Sequence, residues 1–197
     1  MHTLYFVKLR KEIETAEEAI REATAELDNN NFTSDNFGYF GSSKADWYVV
    51  GGRWSGELSR LSVSKEKLEE ANNALKEYLN ADKDLEKKFK QQPDWLDWLY
   101  INSHQLPDER KAQIIEDMDN IYKKIVGFPY FRDTYHQNGY FDDAMRLTPE
   151  LIKKLKEKYP DTEIFEPDAC EEITCKHLLL GEGNDEGSWL VVIDYHY

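Results

Sequence analysis

Two places in this chain bring together residue types that suit anion chemistry. The first is Lys44-Ala45-Asp46-Trp47-Tyr48-Val49-Val50-Gly51-Gly52-Arg53-Trp54-Ser55-Gly56. Arg53 carries five donors in a fixed fork, and Gly51-Gly52 free the backbone to bring N–H groups close to a bound anion. The second is the terminal Asp194-Tyr195-His196. Side chains alternate along a strand, so Asp194 and His196 share a face, ~7 Å apart along it. A guanidinium could hold a phosphate while the imidazole serves as acid or base upon it. Asp46, Trp47, Tyr48 and Trp54 add a carboxylate and aromatic surface. His136 lies in a third stretch, Phe128 to Phe141, where aromatic residues interleave with Arg132, Asp133 and Asn138. Ordered loops of that composition are often functional.

Each feature has a plainer reading beside it. Gly-Gly after a strand is turn chemistry, with Arg53 pairing to Asp46 and the tryptophans filling a core. Asp194 then pairs with Arg53 or another base, and His196 is a half-exposed terminal residue. No Ser or Cys nucleophile motif and no Walker loop accompanies these residues. Cys170, Cys175 and His177 form C-x4-C-x-H, which is not a zinc spacing, so neither a metal nor a cofactor is expected.

The chain has 197 residues, 25 basic and 39 acidic, for a net charge of −14. With 40% apolar and 13% aromatic residues it has the composition of a folded domain. The acidity disfavours direct nucleic-acid binding, which needs basic patches. Residues 161–186 hold nine acids against Lys176 alone, −8 of the −14. This segment reads either as a solvated loop region or as a surface that competes for a partner's basic groove, with Glu171, Glu172, Asp185 and Glu186 in contact. No apolar run reaches the ~20 residues of a membrane span, and no signal peptide is recognisable, so a cytoplasmic protein is expected.

The elements that must position these residues follow from periodicity. Thr3 to Leu9 reads as a strand, and Thr15 with Glu18 opens a helix through Leu27 in a capping-box pattern. Phe32 to Phe40 and Asp46 to Val50 read as the arms of a hairpin. Ser64 starts a helix to about Gln91, stopped by Pro93, and Pro107 opens another that ends at Gly127. Residues 64–127 thus form a helical insertion, an antiparallel hairpin joined around Trp95 and Trp98. Thr148-Pro149 begins the next helix, Ile173 to Leu180 reads as a strand, and the last strand is Ser188 to Tyr197. Its continuous run Leu190 to Ile193 suits a central strand buried on both faces. The sum is a single α+β domain with a mainly antiparallel sheet of four or five strands. A ferredoxin-like core with helices on one face is the expected architecture.

The string Asp46 to Gly56, with Asp142-Asp143-Ala144 and Val192-Ile193-Asp194-Tyr195-His196, resembles a group of bacteriophage and bacterial proteins. These carry a DWYxxGGRWxG-like segment early and a VVDxH-like strand at the end. The resemblance spans about twenty-five residues in three patches and brings no activity with it. It implies that Asp46, Arg53, Asp194 and His196 belong to one site, and that the setting is phage-like. Two functions are expected from all this. One is a non-enzymatic, acidic anti-defence inhibitor that binds a host protein or sequesters its nucleotide ligand. The alternative is an enzyme acting on a nucleotide or phosphoester through Arg53, Asp194 and His196.

Overall fold

In a computed structural model the described residues are 1–33, 39–40, 43–81, 106–131, 138–181 and 183–197. The chain divides into two compact units, 63–132 and the remainder on either side of it. Glu182 and the expected Trp95–Trp98 junction lie outside the described residues.

The larger unit is α+β. Strands β1 (His2–Leu9), β2 (Trp47–Val50), β3 (Ala144–Arg146), β4 (Glu163–Glu166), β5 (Glu171–Thr174) and β6 (Trp189–His196) form one sheet. Its order is β2-β6-β1-β4-β5, with β3 also pairing β6. The sheet is mostly antiparallel, and the pairing of β1 with β4 is parallel. Helices α1 (Ala16–Asn29), α2 (Glu57–Ser62) and α5 (Pro149–Lys158) complete the unit. Thr15 caps α1 by accepting from the Glu18 N–H, and Thr148 caps α5 through the Leu151 N–H.

Helices cover both faces of the sheet, not one. Tyr5, Val7 and Leu9 of β1 join Val191, Ile193 and Tyr195 of β6 against the α1 residues Ala19, Ala23 and Leu27. Leu4 and Phe6 join Leu190 and Val192 on the opposite face, against Leu58 of α2 and Leu151, Ile152 and Leu155 of α5. Two central strands that are apolar on both sides require a cover on each. The sheet therefore has six described strands, more than expected, because the short β3 and β4 carry too little apolar pattern to stand out from their neighbours.

Three further expectations change. The arm Asp46 to Val50 pairs with β6, and most of the other arm expected for the hairpin, residues 34–38, lies outside the described residues. Phe32 instead packs in the core beneath α1, and its carbonyl accepts from the Lys44 and Ala45 N–H groups. Gly51-Gly52 does not close a hairpin. It leads into a 3-10 turn, Gly52–Trp54, and then into α2. The strand expected to run to Leu180 ends at Thr174, where Cys175–His177 turn and the Thr174 hydroxyl meets His177 Nδ1 at 2.9 Å.

The second unit contains helices α3 (Lys65–Ala81) and α4 (Asp108–Val126). Ala71, Leu75 and Leu79 of α3 pack with Ile114, Met118 and Tyr122 of α4, the stripes that helical spacing predicts. Gly127 ends α4 at φ 93°. No described helix is long and apolar enough to cross a membrane.

Candidate functional site

On β1 and β6 the even-numbered face is apolar in the middle, and one of its ends gathers aromatic and ionisable residues. Beyond Leu4 on β1 comes His2, and beyond Val192 on β6 come Asp194 and His196. The antiparallel register sets His2 opposite His196 and Leu4 opposite Asp194. β2 adds Trp47 beside His196 on the other flank. Asp194 and His196 thus share a face, as alternation requires. The imidazole that meets Asp194, however, is His2, whose Nδ1 lies 3.0 and 3.2 Å from the two carboxylate oxygens.

Asp194 is 1% exposed. Besides His2, its carboxylate accepts the Arg53 main-chain N–H at 2.9 Å. The bond is possible because the 3-10 turn passes directly over Asp194 at a residue without a side chain, Gly52, at φ 53°. A second carboxylate stands under Gly51. Asp143 is fully buried and accepts from the Ser55 hydroxyl at 2.8 Å, the Gly56 N–H at 2.7 Å and the Tyr140 N–H at 2.9 Å. The glycine loop therefore spends its N–H groups on two of the protein's own carboxylates. The Arg53 guanidinium is exposed and pairs with no described carboxylate; Asp46 faces His196 instead, 3.5 Å from its Nδ1.

One imidazole, His2, is thus oriented by a buried carboxylate, and a second, His196, has an exposed carboxylate nearby. The His2 and His196 rings meet edge to face at 5.5 Å between centroids. Trp47 stacks on His196 at 5.9 Å with 4° between planes and meets His2 edge-on at 5.2 Å. In His2 the aspartate engages Nδ1, which leaves Nε2 as the working nitrogen.

His2 also lines a cleft of about 520 Å³ with Thr3, Leu4, Trp54 and the α5–β4 connection from Lys158 to Glu163. Its acids are engaged: Asp161 with Lys176 at 3.0 Å, and Glu163 with Lys44 at 2.7 Å. Beside it, Glu57 accepts from Lys158 and from the Tyr159 hydroxyl at 2.7 Å. Burial raises the Glu57 pKa, but those hydrogen bonds and the Lys158 and Arg60 charges outweigh it and hold the carboxyl below its ordinary range. The Trp54 indole N–H is buried and meets no acceptor among the described residues.

The other expected site residues fall elsewhere. Tyr48 points to the α1 face, where its hydroxyl donates to Asp28 at 2.8 Å and its ring meets Phe32. It belongs to the core of that face, because period-two alternation separates it from Trp47. His136 lies outside the described residues. Of the acidic contacts, Glu171 is exposed, whereas Glu172 binds Lys44 and the Tyr5 hydroxyl. Asp185 binds Lys8 and the Leu179 N–H, and Glu186 accepts the Gly181 N–H at 2.7 Å. Lys8 sits between Glu166 and Asp185. Burial lowers the Lys8 pKa, but hydrogen bonds to the two carboxylates outweigh it, so the ammonium is held protonated. Burial raises the Glu166 pKa, and the nearby Asp185 and Glu171 charges add to the rise.

Sequence reasoning missed His2, Asp143, Glu57, Lys158 and Tyr159 as parts of these networks. Only the parity of His2 with Leu4 and Phe6 hinted at its face, and nothing local gave its register against Asp194. Among the described residues no group of three or more His, Cys, Asp or Glu side chains could hold a metal ion. No protein-family model, curated protein or solved structure matches the chain.

Proposed function

We propose that the protein binds a small, ring-bearing anion of nucleotide type in the His2–Trp54 cleft. One observation carries this reading: an aspartate-oriented imidazole and an indole ring line the same cavity. An oriented imidazole donor beside an aromatic wall suits an anion that carries a ring. The volume falls within the range of small-molecule sites. His2 supplies a donor to the ligand through Nε2, and the Trp54 ring an aromatic wall.

In this reading the protein is an acidic, phage-type ligand sponge that withholds a nucleotide signal from a host defence system. Antagonism by docking onto a basic groove of a host protein has less support, since Glu172, Asp185 and Glu186 each satisfy groups within the chain. A ferredoxin-like core, with the parallel β1–β4 pair at its centre and the helical unit as an insertion, belongs to the same proposal.

Calorimetric titration of wild type, His2→Gln and Trp54→Phe with ribonucleoside monophosphates and dinucleotides tests the binding. Wild type should bind at least one of them. His2→Gln should weaken that binding at least tenfold, ~1.4 kcal/mol. Absence of binding across the panel overturns the reading.

A further inference from the structure

The cleft explains His2 but leaves one feature unused. A second imidazole, His196, stands 5.5 Å from the His2 ring, with the exposed Asp46 carboxylate 3.5 Å from its Nδ1. A ligand anchor needs one oriented histidine. Two side by side are what a reaction needs when one proton must be removed and another delivered in the same step.

We infer that His2 and His196 act as an acid–base pair on a phosphodiester ligand that carries its own nucleophile, a hydroxyl vicinal to the bridging oxygen. The inference rests on the binding of a nucleotide-type anion proposed above and replaces its sequestration with turnover. Two observations narrow the substrate. His2 hydrogen-bonds to Asp194, and no described serine, threonine or cysteine side chain lies within hydrogen-bond reach of it to serve as nucleophile. The attacking hydroxyl then belongs to the substrate. A general acid is worth having where the leaving group is an alkoxide, as in a phosphodiester, and matters little where it is a phosphate. A ribonucleotide diester meets both demands through its 2′-hydroxyl.

The step balances without a co-reactant. Nε2 of the neutral imidazole takes the 2′-hydroxyl proton as O2′ bonds to phosphorus. The P–O5′ bond breaks, and the protonated partner delivers its proton to O5′. The products are a 2′,3′-cyclic phosphate and a free 5′-hydroxyl, and the pair ends with its protons exchanged. Asp194 is a positioning residue that holds His2 Nδ1 and fixes Nε2 as its working nitrogen, and Asp46 places a negative charge near His196.

The test uses the full chain with a ribodinucleotide such as ApA and with its 2′-deoxy counterpart, which lacks the nucleophile. Chromatography with mass detection follows products, and calorimetry follows binding. The expected result is cyclic phosphate from the ribodinucleotide and none from the deoxy form, which still binds. His196→Gln should lower kcat by 10²–10⁴ fold while the deoxy probe binds as it does to wild type. Asp46→Asn should change the pH profile of kcat/KM with a smaller loss at the optimum. Because His2 sits in a core strand, the His2→Gln protein is first checked by its melting transition; folded, it should be as inactive as His196→Gln. Binding of both dinucleotides without product overturns this inference and leaves the binding reading standing. Binding of neither removes both. Product formed equally by wild type and the folded His196→Gln variant also overturns it.

Discussion

A Cβ placed on Gly52 would lie 2.4 Å from the Cβ of Asp194. Nothing at that separation can be accommodated without moving the turn or the strand. The contact ties the informative loop to the informative strand, because it is what lets the Arg53 N–H reach the Asp194 carboxylate. Gly51 stands in the same relation to Asp143, with a Cβ falling 2.3 Å from Oδ2.

Gly52→Ala should therefore cost stability both through its positive φ and through steric overlap with a buried side chain, on the order of 3 kcal/mol or more. Gly127→Ala is the control: φ is 93°, but nothing lies within 4 Å of the added methyl. It should cost only ~1–2 kcal/mol, the conformational part alone. Chemical denaturation of both variants checks the difference, and equal losses would contradict it.

Asp143→Ala should remove a buried acceptor shared by the Ser55 hydroxyl and the Gly56 and Tyr140 N–H groups. The expected loss is on the order of 3 kcal/mol. Ser55→Ala removes one partner only and should cost less. Urea midpoints of the two variants give the order directly.

Glu171→Gln and Glu172→Gln separate solvated from engaged acids on adjacent positions of β5. Glu171 is exposed, while Glu172 binds Lys44 and the Tyr5 hydroxyl. Burial, followed by the bond to Glu172, pushes the Tyr5 phenol well above its ordinary range. The Glu171 change should shift the melting temperature negligibly and the Glu172 change measurably downward. The same pair reports on partner docking: a surface contact would be sensitive to Glu171.

Glu57 links stability to pH. Its folded carboxyl titrates below the ordinary 4.5 despite the opposing effect of burial, through Lys158, Tyr159 and Arg60. A lowered folded pKa contributes stability that is fully present above the unfolded value and lost as pH falls through the folded one. Stability should therefore fall from about pH 4.5 downward, and Glu57→Gln should flatten that acid limb while lowering stability at pH 7. A limb of unchanged slope in the variant would assign it to other carboxylates.

The two cysteines should react very differently. Cys170 is exposed; Cys175 is fully buried, and burial pushes its thiol up to about 12. A disulfide reagent at pH 8 should titrate one thiol in the native protein and two in urea.

Much of this molecule is legible in its residues taken locally. The alternation of Leu4 to Leu9, the apolar run Leu190 to Ile193 and the stripes of α3 and α4 depend on periods of two and 3.6, which short windows contain. The same alternation puts Asp194 and His196 on one face. What it leaves open is the partner of each. His2 meets Asp194 because β1 and β6, nearly 190 positions apart, align with His2 opposite His196. That register is set by burying both strands on two faces at once, a condition no single segment encodes. The glycine pair shows the same division. Gly51-Gly52 announces a positive φ and a close approach, but that the approach is to Asp143 and Asp194 is decided only when β2, β3 and β6 assemble. The acidic segment, uniform in sequence, is sorted by tertiary contact into carboxylates that hold Lys8 and Lys44 and carboxylates that face solvent.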